Sequence, residues 1–91
     1  MTDKTLHIVL EYKWYDFIES GKKFIEYRAM SDYWNKRLKN KDYNFITFHK
    51  GYTSTTMTFR IKTIFICNSK NNDLGISPVW AIRFDERIIN E

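Results

Sequence analysis

Ser20-Gly21-Lys22-Lys23-Phe24-Ile25-Glu26-Tyr27-Arg28 is the stretch on which the fold turns. Residues 13 to 20 before it read as a helix. Trp14, Phe17 and Ile18 fall at i, i+3 and i+4 and form one apolar stripe. Gly21 stands where a left-handed C-terminal cap is expected. Phe24 to Arg28 then reads as a strand. Alternation sends Ile25 and Tyr27 to one face, and Phe24, Glu26 and Arg28 to the other. Lys23, Glu26 and Arg28 thus crowd three ionisable side chains into six positions between apolar segments. Charges held so closely on a rigid element face each other or a polar ligand.

Upstream, Leu6 to Leu10 reads as a first strand, with His7 near its start. Downstream, Ser31 or Asp32 can cap a second short helix running to Leu38, with Trp34 and Leu38 four apart on one side. Asn44 to His49 reads as a strand and Lys50-Gly51-Tyr52 as a turn. Thr55 to Cys67 is the longest strand signal. Met57, Phe59 and Ile61 alternate with Thr58, Arg60 and Lys62, and the apolar set then shifts to Ile64 and Ile66. A bulge or bend near Lys62-Thr63 accounts for that shift. Residues 68 to 78 are polar, with Gly75 and Pro78, and read as a loop. Val79 to Phe84 is the closing strand, which Arg87 to Ile89 extend or underlie. Five strands and two short helices predict an α+β domain built as a small, partly open β-barrel.

The 91 residues suit one domain with one core. A domain near this size buries roughly 60–65% of the surface of its unfolded chain. No apolar run approaches the roughly 20 residues of a membrane span, and residues 1 to 10 show no secretory signal. A single cysteine, Cys67, excludes an internal disulfide and a Cys-rich metal cluster. In Ile64-Phe65-Ile66-Cys67 it reads as a buried small hydrophobe, and a reducing cytoplasm fits it. His7 and His49 lack a third ligand at suitable spacing, so no metal site is expected, nor any cofactor. No Gly-rich phosphate loop or serine-hydrolase elbow occurs.

Net charge is +4, which permits an anionic partner without requiring one. Seven Phe, six Tyr and three Trp make 18% of the chain. Some of them are candidates for stacking on bases or anchoring a protein partner; others fill the barrel. Tyr12, at the strand-to-helix junction, is a candidate for stacking and His49 for a cleft rim. Trp14 reads as core, and Trp80 as core or platform. Lys36, Arg37, Lys39 and Lys41 place four positive charges in six residues. They form either a solvated helix end, favoured by the helix dipole, or, with Lys50, a set of phosphate contacts.

Gly21-x-Lys23-x-x-Glu26-x-Arg28, preceded by an amphipathic helix and a strand with His7 near its start, resembles the ASCH domain of the PUA-like superfamily. The resemblance covers nearly the whole chain in element order, and residues 7 to 28 most closely. It implies a cleft beside the barrel, lined by Gly21, Lys23, Glu26 and Arg28. It also implies RNA, another nucleic acid or a modified nucleoside as ligand. One branch of the family hydrolyses N4-acetylcytidine with a Lys, a Thr three residues later and a distant Glu. Here Lys23 stands at the Lys position and Glu26 at the Thr position. Residues 68 to 79 hold no Glu, and Asp73 is their only acid.

That departure has a physical consequence. A lysine acting as a base near pH 7 must give up its proton far below its usual value of about 10.4, at a cost of about 4–5 kcal/mol. A carboxylate nearby works against this. The substitution removes a hydroxyl nucleophile and holds Lys23 as an ammonium, which favours recognition over catalysis. In an enzymatic alternative, an amidohydrolase of acylated nucleosides, Glu26 acts as base toward water and Lys23 stabilises an oxyanion. Release of cytidine from N4-acetylcytidine distinguishes that alternative. A third reading is a small protein-interaction or inhibitor module, supported by size and surplus aromatics.

Overall fold

The computed structural model describes residues 4–89. Its elements run β1 (Thr5–Leu10), α1 (Tyr12–Glu19), β2 (Ile25–Ala29), α2 (Asp32–Leu38), β3 (Phe45–Lys50), β4 (Thr56–Cys67) and β5 (Val79–Ile88). The strands form one sheet in the order β1-β3-β4-β5-β2. β1 and β3 are parallel and every other pair is antiparallel. The sheet curls into a half-barrel with two short helices, the small, partly open α+β barrel expected. Among the described residues no helix is long and apolar enough to cross a membrane.

Alternation along β1 buries Leu6, Ile8 and Leu10 and exposes Thr5, His7 and Val9. The core continues through Ile46 and Phe48 of β3, Met57 and Phe59 of β4, and Trp80, Ile82 and Phe84 of β5. Phe48, Phe59 and Phe84 meet as a cluster of three rings with centroids 4.9 to 6.0 Å apart. Such offset contacts add to plain area burial.

The shift of pattern in β4 is a register irregularity against β5, between Phe59 and Ile61 and again between Ile61 and Thr63. It lets one twelve-residue strand pair with β3 by its first half and with β5 along most of its length. β5 runs on past Phe84 to Ile88, so the tail extends the closing strand.

Two expectations need correction, and one open alternative is decided. In α1 the buried residues are Tyr15 and Ile18, while Phe17 is 44% exposed and Trp14 half-buried. The helix is rotated so that the Tyr15–Ile18 side meets the core and Trp14 turns to its flank. Cys67 is half-buried rather than buried, because the strand end carries it out of the barrel, and its thiol donates to the Ser69 carbonyl. Trp80 is core, only 7% exposed, and its indole N–H donates to Asn35 Oδ1 at 2.8 Å. That bond ties α2 to β5.

Candidate functional site

In a curled sheet of this order, β1 and β2 are the two edges, and the barrel stays open between them. A cleft of about 380 Å³ occupies that seam. Val9, Leu10 and Glu11 line one side and Glu26 to Ala29 the other. Trp14 of α1, Trp34 of α2, Lys23, and Asp73 and Leu74 of the 68–78 loop complete it.

Local chain chemistry delivers the charges. Gly21 takes φ +80° after α1. Its N–H donates to the Ile18 carbonyl and that of Lys22 to the Phe17 carbonyl, which ends the helix. The chain reverses there, and Lys23 lies with its ammonium 4.7 Å from the centre of the Trp14 ring. Pairing of β2 with β5 sets Glu26 opposite Ile82 and Arg28 opposite Trp80, on the inner face.

Glu26 is only 5% exposed. Its Oε1 accepts from Lys23 Nζ at 2.9 Å, and its Oε2 lies 2.7 Å from Arg28 Nη2. A carboxylate this deep is tolerable because both oxygens meet a cation. Lys23 also reaches Asp73 Oδ2 at 3.0 Å, a contact from the loop after β4. The Arg28 guanidinium lies 5.0 Å from the Trp34 ring centre, and its buried Nε–H has no partner.

Burial pulls the Lys23 pKa down, but the charges and hydrogen bonds of Glu26 and Asp73 outweigh it. The net effect holds it above the ordinary lysine value, so Lys23 is an ammonium at neutral pH. Two cations and three acids (Glu11, Glu26 and Asp73) line the cleft. It is therefore a polar pocket with one negative charge in excess and aromatic walls, inside a basic protein.

Of the residues singled out in the sequence, the structure brings Lys23, Glu26 and Arg28 together in the cleft. Gly21 shapes the approach without lining it. Tyr12 is 56% exposed but lies against Gly51, where an added Cβ would come within 2.7 Å of the ring. Tyr12 thus stands outside the cleft, near Lys50, which is bound to Asp16 at 3.1 Å. His49 sits beside Val9 on the neighbouring strand and pairs with His7 at 3.0 Å. Lys36, Lys39 and Lys41 are exposed. Arg37 alone of that group reaches back, to the Trp34 ring and to the His7 carbonyl.

Sequence reading missed Trp14 and Trp34 as walls. Their roles depend on how helices seat on the sheet, which no local pattern encodes. Asp73 did carry a signal, as the sole acid between residues 68 and 79. Comparison of the chain with protein-family models, with curated proteins and with solved structures finds no match.

Proposed function

We propose that this chain is an ASCH-like module of the PUA-like type, acting in a reducing cytoplasm, that binds RNA or a modified nucleoside in the seam cleft. One observation carries the reading: Lys23, Glu26 and Arg28 form a connected polar floor between two tryptophans. Indole faces suit stacking on a base, and fixed donors and acceptors suit reading its edge. The third proton of the Lys23 ammonium leaves hydrogen-bonding capacity that a ligand can use.

Catalysis is less well supported. Asp73 does place an acid beside Lys23, which favours asking the question. Yet an ammonium held by two carboxylates is no base, and Glu26 is clamped by two cations. The site is arranged to hold charges still rather than to move a proton.

The test is titration of the protein with short single-stranded RNA, followed by fluorescence anisotropy. Arg28→Ala removes a charge-assisted contact of about 1.5–3 kcal/mol. Affinity is expected to fall by about tenfold or more while the variant stays folded. Unchanged affinity in a folded Arg28→Ala protein overturns the proposal.

A further inference from the structure

The cleft cannot attract phosphate by itself, since its two cations face three acids. A nucleic-acid ligand needs its backbone charge met elsewhere. The nearest candidate lies next to the cleft along the outer face of β1 and β3. Val9 lines the cleft, and register places His49 beside it. His7 stands two residues back on the same face, about 7 Å along the strand. Arg37 approaches from α2. Its guanidinium lies 5.2 Å from the Trp34 ring centre, and its Nη2 donates to the His7 carbonyl at 3.1 Å. Among the described residues no carboxylate pairs with Arg37, His7 or His49.

His7 Nδ1 and His49 Nε2 are 3.0 Å apart. One ring donates and the other accepts, so a single proton occupies the space between them. In the neutral pair, one of the two outward nitrogens carries a proton and the other is bare. Adding one proton gives a pair of charge +1. It keeps the internal hydrogen bond and turns both outward nitrogens into donors. Arg37, which donates to the Tyr33 hydroxyl, opposes that added charge. Thr47 lies beside His7 and Thr56 beside His49, and both are uncharged. Lys50 follows His49 but lies on the opposite face of β3, held by Asp16. A phosphate placed here supplies the missing negative charge and so favours the extra proton.

We propose that His7, His49 and Arg37 form a phosphate subsite at the mouth of the cleft, filled with uptake of one proton by the histidine pair. This rests on the nucleic-acid reading of the cleft. It adds that the phosphate is bound outside the cleft and that binding is stronger in mild acid.

The test is calorimetric titration with cytidine, cytidine monophosphate and a short single-stranded RNA, at fixed ionic strength. Buffers of different ionisation heat report the protons taken up. Phosphate-bearing ligands are expected to take up close to one proton above neutral pH, and cytidine none. Affinity for RNA is expected to be more than about tenfold weaker at pH 8 than at pH 6, because proton-linked binding weakens across the range where imidazole loses charge. The double variant His7→Gln/His49→Gln keeps two hydrogen-bonding side chains but no imidazole, and should abolish both the uptake and the pH dependence. Arg37→Gln should weaken RNA at either pH. RNA binding without proton uptake, or a pH dependence that survives in the double variant, overturns the subsite and leaves the cleft reading standing. No binding of any of the three ligands at either pH overturns both.

Discussion

Glu26 organises the site. It is a buried carboxylate with one cation on each oxygen, and each cation also lies against a tryptophan. Its shared face with Arg28 was legible in the alternation of Phe24 to Arg28, as was the crowding of Lys23 and Arg28 around it, but not that this face points inward. What Lys23 does next was not legible, because Asp73 arrives from a loop fifty residues away in the chain. Glu26→Gln tests this residue directly. It leaves the shape intact, removes the negative charge and strands two cations, of which Lys23 keeps Asp73. Breaking a buried ion pair costs about 3–5 kcal/mol. The retained acceptor and partner reduce that here to about 2 kcal/mol, expected as a lower urea midpoint with unchanged slope. Stability equal to the parent would show that the cluster contributes nothing to the fold.

Element order was readable from strand and helix periods, and so were the irregularity in β4 and the left-handed Gly21. Rotation of an eight-residue helix was not. Trp14, Phe17 and Ile18 make as good a stripe as Tyr15 and Ile18, and only the curvature of the sheet beneath decides between them. The tyrosine wins the core although its hydroxyl then finds no partner. Single truncations measure that choice. Phe84→Ala removes a ring packed against Phe48 and Phe59 and is expected to cost about 3–5 kcal/mol. Phe17→Ala, at an exposed position, is expected to stay within about 1 kcal/mol in the same chemical unfolding experiment. Comparable losses at the two positions would refute the observed rotation of α1.

For the whole molecule, stability should fade at alkaline rather than acidic pH through the groups whose titration is displaced. The folded Lys23 pKa is raised above the ordinary 10.5, so its contribution is complete below that value and is lost as pH climbs through the folded one. Burial, the largest influence on Tyr15, raises its phenol above 10.0. The unfolded tyrosine therefore ionises first, which again favours unfolding above about pH 10. Thermal midpoints are expected to drop there, less steeply in Lys23→Met. An equal alkaline slope in that variant would show that Lys23 is not held by its acids.

The half-barrel leaves its seam between β1 and β2, and the ligand is expected in that seam. Amide and indole NMR shifts, followed while short single-stranded RNA is added to the intact protein, locate the ligand most directly. Shifts should gather on Trp14, Trp34, Lys23 and Arg28, and leave Phe45 and Arg60, at the far end of the sheet, in place. Shifts centred on that far end, or none at saturating RNA, would contradict a nucleic-acid cleft at the seam.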